Sequence, residues 1–265
     1  MDYKNVCDEV VKLVRETGRF IMSERKSMTG DDIEIKGKND FVTKFDKLSE
    51  KRLVEGLGRI LPEAGFIAEE GTSDKKGEVY NWIIDPIDGT TNFMHASPPF
   101  SISVALQEND DIVIGVVLEM FSDECFYSWK GGKVFINEKE VRNSGCAKLS
   151  DALIATGFPY KAFGLLENFM ASLIFFMEKS HGVRRLGSAA IDLAYVAAGR
   201  YDAFYEYNLN PWDVAAGAFL VEQSGGKVSD FKGTGNYLFG KEMVAAAPKV
   251  FPEFFEAVST IMTKK

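Results

Sequence analysis

The chain contains little cysteine and little histidine for its 265 residues. Its three cysteines, Cys7, Cys125 and Cys146, are widely spaced and form no CxxC pair. A zinc knuckle or a thioredoxin-type site is therefore not expected, and free thiols are typical of a reducing cytosol. Because the only histidines are His95 and His181, a histidine-rich metal site is excluded.

Long apolar runs are also missing. No stretch approaches the 18 or so apolar residues that a membrane-spanning helix needs, and the first ten residues, MDYKNVCDEV, lack the apolar core of a signal peptide. These features predict a cytoplasmic protein that does not enter a membrane.

Positive charge is in the minority. Lys and Arg total 31 against 39 Asp and Glu, so the formal net charge is −8. Direct binding of nucleic acid is therefore not expected. A chain this acidic would need an imported positive charge to hold an anionic substrate, and a divalent cation is the obvious source.

The apolar pattern predicts two fused halves, 1–145 and 146–265, that share a cleft. Residues 4–26 and 46–61 have helical spacing, Pro62 ends the second helix, and the residues between them, DDIEIKGKNDFVTKFD, are predicted as a polar loop. Short runs rich in Val and Ile then predict an antiparallel sheet with strands at 65–68, 82–84, 100–106, 112–121, 124–129 and 133–136, and with a hairpin turn at Gly131-Gly132. The second half alternates predicted strands at 152–156, 184–186 and 203–206 with predicted helices at 164–180, 188–199, 212–224 and 252–263.

The most informative segment is WIIDPIDGTT, residues 82–91, in which an apolar strand leads into two carboxylates three positions apart. Asp85, Asp88 and the Ile87 carbonyl are oxygen donors of the kind that Mg²⁺ prefers. The amides of Gly89 and Thr90 could then face phosphate oxygens. Asp and Gly are also ordinary turn residues, so this motif alone leaves both interpretations open.

Two other segments place acids at the ends of elements. Glu69-Glu70 follows a short apolar strand, although adjacent acids are usually solvated. Asp213, in NPWD, opens a helix, where it could serve as a first-turn acid that stabilises the helix N-terminus or as a metal ligand. Glu69, Asp85, Asp88 and Asp213 together would suit a pair of metal ions about 3.5–4 Å apart.

Other mechanisms have weaker support. Neither histidine accompanies a G-x-S-x-G nucleophile motif. The segment GNYLFGK, residues 235–241, imitates a P-loop, but Glu242 replaces the required Ser or Thr, so we interpret it as an ordinary loop.

Two long motifs resemble the signatures of the inositol monophosphatase family. DPIDGTTNF, residues 85–93, resembles the first signature, and WDVAAG, residues 212–217, continuing to Gly225-Gly226, resembles the second. Residues 65–70 and 40–46 also match in type and order, so the resemblance covers nearly the whole chain. It implies an α/β (α+β) fold, a layered α-β-α-β-α sandwich shared with fructose-1,6-bisphosphatases.

The resemblance also implies roles for individual residues. The metal ligands would be Glu69, Asp85, Ile87, Asp88 and Asp213, binding two or three Mg²⁺. The catalytic residues would be Thr90, Asp46 and Glu69, with Asp46 and Thr90 orienting the attacking water. Substrate contacts would come from Asp88, Gly89, Thr90, Ala189, Glu206 and Asp213, and Lys36 would lie near a further metal.

The function implied is Mg²⁺-dependent hydrolysis of myo-inositol monophosphate or a similar small polyol phosphate monoester, with lithium sensitivity and a homodimeric state. Phe158, Pro159 and Tyr160 could line the substrate pocket, although such runs are more often packing residues. The same framework serves fructose-1,6-bisphosphatases, 3'(2'),5'-bisphosphate nucleotidases and histidinol phosphatases, so these activities remain alternatives. A further alternative is a non-catalytic, transcription-linked role, because some bacterial relatives act through surface contacts with a protein partner.

Overall fold

A computed structural model describes residues 1–37, 40–160 and 162–264, and it describes only the backbone of residues 36, 37 and 40. Within these residues, the α-helices are α1 (Tyr3–Glu24), α2 (Lys44–Ile60), α3 (Thr90–Met94), α4 (Leu166–Lys179), α5 (Ala189–Ala197), α6 (Pro211–Gln223) and α7 (Phe251–Met262). The strands are β1 (Ile33–Gly37), β2 (Asp40–Thr43), β3 (Gly65–Ala68), β4 (Tyr80–Asp88), β5 (Ser101–Glu108), β6 (Asp111–Glu119), β7 (Glu124–Trp129), β8 (Val134–Ile136), β9 (Lys139–Val141), β10 (Leu153–Thr156), β11 (Gly182–Arg184), β12 (Ala203–Tyr207), β13 (Lys227–Ser229) and β14 (Glu242–Ala246).

The first two helices form an outer layer. In α1, Val10, Val14 and Ile21 fall on one buried face, as helical spacing predicts. Helix α2 begins at Lys44, two residues before its predicted start, because the Thr43 side chain caps it and accepts a hydrogen bond from the backbone N–H of Phe45. The two helices pack against each other and against one face of the larger sheet.

The larger sheet has seven strands in the order β3-β4-β5-β6-β7-β8-β9. The pairs from β4 onward are antiparallel, as predicted, and the predicted turn at Gly131-Gly132 joins β7 to β8. The pair β3–β4 is parallel. Since the carboxyl ends of parallel neighbours meet at one edge of a sheet, this exception places Glu69 beside Asp85.

The remaining layers follow from the second sheet, whose order is β11-β10-β12-β14-β13. Helices α5 and α6 lie between the two sheets, where Ile83 and Ala105 of the first sheet share one core with Phe204 and Ala245 of the second. Helices α4 and α7 cover the far side of the second sheet. The chain therefore has the expected mixed α+β fold with α-β-α-β-α layers. The division at residue 145 stays a prediction.

Several local predictions were wrong. The predicted polar loop between α1 and α2 contains the antiparallel pair β1–β2, in which Ile33 lies opposite Thr43; the pair was missed because its strands are short and Ile35 is exposed. The short elements α3, β9, β13 and β14 were not predicted. The strand predicted at 184–186 lies at Gly182–Arg184, because its backbone pairs with Leu153–Ala155. This shift leaves Arg185 beyond the strand end.

No helix in the described part of the chain has both the length and the apolar character required to cross a bilayer.

Candidate active site

A cleft of about 580 Å³ opens where β3 and β4 end and where the second sheet approaches them. Its walls come from both sheets, from α3 and from the loop after β10. The lining residues are Phe41, Glu69, Asp85, Ile87, Asp88, Gly89, Thr90, Thr91, Asn92, Phe158, Pro159, Tyr160, Arg185, Gly187, Glu206, Tyr207, Asn208, Asn210 and Asp213. Most of the predicted site residues therefore lie in one cavity.

Three aspartates converge at the floor of this cleft. Asp85, Asp88 and Asp213 each offer a carboxylate oxygen, and these oxygens lie within 4.8 Å of one another. Burial, followed by the negative charges of Glu69 and the other two aspartates, raises the pKa of Asp85 well above its usual range. Like charges this close are unfavourable unless a proton or a cation neutralises them.

Asp213 is placed for both of the roles that the sequence left open. Its Oδ2 accepts a hydrogen bond of 2.6 Å from the backbone N–H of Asn210, which makes it the acidic partner in the capping box of α6. Its carboxylate also belongs to the cluster with Asp85 and Asp88. The two interpretations are therefore compatible, because a carboxylate has two oxygens.

Asp88, the last residue of β4, is hydrogen-bonded to the start of α5. Its Oδ2 accepts hydrogen bonds from Ser188 Oγ at 2.6 Å and from the backbone N–H of Ala190 at 2.8 Å, both at the start of α5. Burial raises the pKa of Asp88 to about 6, although these hydrogen bonds and the charge of Arg185 act in the opposite direction. The backbone N–H of Ala189 also contacts Asp88, and Ala189 itself is buried, so its predicted polyol contact stays a prediction.

Asp46 and Thr90 are 44 positions apart in the sequence, and their side chains lie within hydrogen-bonding distance of each other. Thr90 Oγ1 lies 3.1 Å from Asp46 Oδ1 and 3.0 Å from the Ile87 carbonyl oxygen, so its hydroxyl can donate to either. The other Asp46 oxygen accepts from the Thr43 N–H at 2.7 Å and from its hydroxyl at 2.5 Å. Burial raises the pKa of Asp46 to about 6. The predicted pair is thus held in place next to a candidate metal ligand.

Glu69 lies beside Asp85 because the parallel register pairs Ala68 with Ile84, the residues just before them. A hydrogen bond joins the two side chains and contributes to the raised pKa of Asp85. A residue that the sequence analysis missed, Glu50 of α2, anchors the following turn: its carboxylate accepts the backbone N–H groups of Glu70 and Thr72, each at 2.7 Å. Nothing in the sequence pattern separates Glu50 from the surface acids of a helix.

The turn that follows β4, inside the first motif, requires glycine at position 89. Gly89 has φ +87°, and a Cβ built on it would lie 3.0 Å from the Gly187 carbonyl oxygen. An L-residue would be strained there and would also crowd that oxygen. Helix α3 begins at the next residue, Thr90, so the two amides proposed to face phosphate lie in the wall of the cleft.

The opposite wall holds the predicted polyol contact, Glu206. Burial raises its pKa to about 8, and the nearby charge of Arg185 opposes this shift. Phe158, Pro159 and Tyr160 line the same wall, whereas His95 and His181 are exposed and are not among the lining residues. The side chain of Lys36 is outside the described part of the structure, so its predicted place near a further metal stays a prediction.

No residue of the P-loop-like segment, 235–241, is among the described residues that line the cleft. Residues 230–241 form a loop whose first residue, Asp230, accepts the backbone N–H groups of Lys232, Thr234 and Asn236. Tyr237 and Leu238 pack against the core between the sheets. The interpretation of this segment as an ordinary loop therefore agrees with the structure.

The donor set of the cluster fits a hard divalent cation. All of the donors are oxygen atoms, which suits Mg²⁺ and not a thiolate- or imidazole-bound metal. Opposite ligands of one Mg²⁺ lie about 4 Å apart, so oxygens within 4.8 Å of one another need little movement to share an ion. The raised pKa of Asp85 reports the same need, because a cation would relieve the repulsion that raises it.

The fold and the cleft thus define a layered α+β protein whose carboxylate cluster is suited to a divalent cation. The family model described as the inositol monophosphatase family matches residues 2–263. This chain belongs to that family, and membership supports a phosphatase function.

Individual relatives extend the comparison. The chain is 38% identical over 245 residues to a protein of Mesorhizobium japonicum named inositol-1-monophosphatase, covering 90% of this chain and 92% of the relative. It is 36% identical to a Neisseria meningitidis protein named putative Nus factor SuhB, with coverage of 94% and 95%. A crystal structure of the extragenic suppressor protein suhB from Bartonella henselae matches with a TM-score of 0.88, 35% identity and coverage of 96% and 98%.

Proposed function

We propose that this chain hydrolyses small polyol phosphate monoesters, with myo-inositol monophosphate as the first candidate, in a Mg²⁺-dependent reaction. The observation that carries the proposal is the convergence of the Asp85, Asp88 and Asp213 oxygens within 4.8 Å at the floor of the cleft. With Glu69 and the Ile87 carbonyl, they would hold two or three Mg²⁺. When bound, Mg²⁺ supplies positive charge for the phosphate and lowers the pKa of a water molecule.

The chain's own residues would position the reactants. Asp46 accepts a hydrogen bond from Thr90, and together they would orient the attacking water toward phosphorus, with Glu69 supporting it from the neighbouring strand end. The Gly89 and Thr90 amides would bind phosphate oxygens, and Glu206, Ala189 and Asp213 would contact the leaving polyol. Most of the rate enhancement would come from positioning and charge neutralisation, because the described residues that line the cleft include no serine, cysteine or histidine to act as nucleophile or base.

The test is phosphate release from a panel of inositol, glycerol, fructose and nucleotide phosphates, with Mg²⁺ and then with added Li⁺. We expect Mg²⁺-dependent release from polyol monophosphates, inhibition by Li⁺, and loss of release in Asp88→Asn. Asp110→Asn, which changes an exposed acid in the β5–β6 turn, is the matched control and should behave as wild type. Absence of release from the whole panel would refute the proposal.

We also propose a homodimer that buries the outer face of α4. Leu166, Met170, Ile174 and Met177 recur at helical spacing along this face and are 38–57% exposed. A contiguous apolar stripe marks an interaction surface more often than scattered apolar residues do. The helix stripe can pair with its own copy across a two-fold axis.

Sedimentation can test this dimer. The double variant Met170→Glu/Ile174→Glu should sediment as a monomer where the wild type sediments as a dimer. Phe121→Glu places the same charge on another exposed apolar residue and should leave the dimer intact. Equal sedimentation of wild type and the double variant would exclude the α4 interface.

A second candidate function is a transcription-linked role through a protein partner, which is favoured by the relative named putative Nus factor SuhB. The net charge of −8 disfavours direct contact with nucleic acid. The discriminating experiment expresses Asp88→Asn in cells in place of the wild-type protein. If the variant releases no phosphate but the cells keep the wild-type phenotype, the cellular role depends on partner binding and not on phosphatase activity. We further propose a cytoplasmic location, which the three free cysteines support.

A further inference from the structure

Arg185 is the one positively charged side chain among the described residues that line the cleft. It follows β11 and lies on the same wall as Glu206, Phe158 and Tyr160. Burial raises the pKa values of Asp88, Asp192 and Glu206, and the charge of Arg185 opposes that rise at all three, so the guanidinium lies near both the metal-ligand cluster and the wall proposed to contact the polyol.

Two aromatic rings hold the guanidinium. Its central carbon lies 5.4 Å from the centroid of the Phe158 ring and 5.0 Å from that of Tyr160, and the two rings meet edge to face. Cation–π contacts of this kind favour Arg and fix the plane of its fork. The orientation of the fork is thus set before a substrate arrives.

The guanidinium also lies close to the phosphate end of the cleft. A Cβ built on Gly187 would lie 2.2 Å from Arg185 Nη1 and 3.0 Å from Asn92 Nδ2. Gly187 in turn adjoins Gly89, since its carbonyl oxygen would lie 3.0 Å from a Cβ on that residue. Arg185 therefore reaches the region next to the Gly89 and Thr90 amides that are proposed to bind phosphate.

The donor capacity of Arg185 is not used up by the protein. Its Nε–H is buried and has no hydrogen-bond partner among the described residues, so the donors that can face a substrate in the cleft are the two Nη groups. Glu206, an acceptor when ionised, lies on the same wall. A guanidinium donor and a carboxyl group on one wall match adjacent hydroxyl groups, which both donate and accept.

We propose that Arg185 is a specificity-determining residue that donates hydrogen bonds to hydroxyl oxygens of the leaving group, and that with Glu206 it selects monoesters carrying adjacent hydroxyls. This inference rests on the proposed function and deepens it. A second phosphate is disfavoured at this position, because the carboxyl groups of Glu206, Asp88 and Asp192 lie around the one guanidinium and any of them that ionises would repel a second phosphate.

The experiment measures kcat/KM for myo-inositol 1-phosphate, 4-nitrophenyl phosphate and fructose 1,6-bisphosphate in wild type, Arg185→Met and Arg185→Lys. We expect Arg185→Met to lower the ratio of inositol phosphate to nitrophenyl phosphate activity about 10- to 100-fold, the range for hydrogen bonds to charged groups. Arg185→Lys keeps the positive charge but loses the planar fork, so its activity ratio should lie between those of wild type and Arg185→Met. Arg184→Met is the matched control, since Arg184 is exposed and donates to the Val183 carbonyl next to it; its ratio should equal that of wild type.

Each outcome has a distinct meaning. An equal loss on inositol phosphate and nitrophenyl phosphate, in both Arg185 variants, would show a structural role and overturn the inference. A loss that is greatest for the bisphosphate would overturn it in favour of a second phosphate site. If wild type releases phosphate from no substrate, the proposed function itself fails and takes the inference with it, whereas an active wild type with unchanged ratios removes the inference alone.

Discussion

Gly157→Ala should weaken the recognition of polyol substrates without unfolding the protein. A Cβ built on Gly157 would lie 2.0 Å from both Cδ and Oε1 of Glu206. To restore the 3.4 Å of ordinary van der Waals contact, the carboxylate must move by about 1.4 Å. A misplacement of about 1 Å costs on the order of 100-fold in rate. Because the clash involves the far end of a side chain that lines an open cleft, the fold can absorb it.

The assay compares kcat/KM for myo-inositol 1-phosphate and for 4-nitrophenyl phosphate, which has no hydroxyl groups to contact Glu206. We expect Gly157→Ala to lower the first value about 10- to 100-fold more than the second. Gly164→Ala is the matched control, because a Cβ built there meets nothing within 4 Å. If Gly157→Ala and Gly164→Ala give the same ratio while both melt like wild type, the assignment of Glu206 to substrate contact is refuted.

Three further predictions concern the acidic residues of the cleft. Asp46→Asn should lower the single-turnover rate constant for phosphate release about 100-fold or more, because an amide polarises the water less than a carboxylate does; an unchanged rate constant would contradict its proposed role. Mg²⁺ at 100 times its dissociation constant should raise the free energy of unfolding by about 2.7 kcal/mol, as measured by urea denaturation with and without EDTA. Asp213→Asn should lose most of this increase, and equal stabilisation of both proteins would count against the metal site. Without metal, burial raises the pKa of Glu206 from 4.5 to about 8, so the native state retains a proton that the unfolded chain releases. The free energy of unfolding should therefore fall as the pH rises from about 4.5 to 8, by at most about 1.4 kcal/mol per pH unit from this group, and Glu206→Gln should show a smaller fall.

The sequence predicted most of the helices and strands well, because the apolar periods of 3.6 and 2 are local properties, whereas the layered arrangement was implied only by the family resemblance. Helices α1, α2, α4, α5, α6 and α7 and the strands from β3 to β8 lie within a few residues of their predicted positions. The failures were short elements whose pairing is not local. Strands β1 and β2 include the exposed Ile35, and β13 and β14 depend on neighbours elsewhere in the sheet, so no periodic pattern marks them.

The candidate site also has some features that the sequence predicted and others that only the fold showed. Asp85, Asp88 and Asp213 were found from the sequence because each lies near the end of a strand or opens a helix, whereas Asp46 and Glu206 were implied only by the family resemblance. The local pattern could not decide between a capping and a ligating role for Asp213. Only the fold showed that one oxygen meets the Asn210 N–H while the carboxylate still reaches the cluster.

The sequence by itself determined which chemical groups are available: hard oxygen donors in ordered motifs, no cysteine or histidine set to compete with them, and apolar periods that build two covered sheets. Tertiary structure alone decided which groups meet. Arg185 lies on the Phe158 and Tyr160 rings, and Glu206 rests against Gly157, because the second sheet brings distant strand ends to one edge. Contacts of this kind depend on sheet order and register, which side-chain patterns within a single segment do not encode.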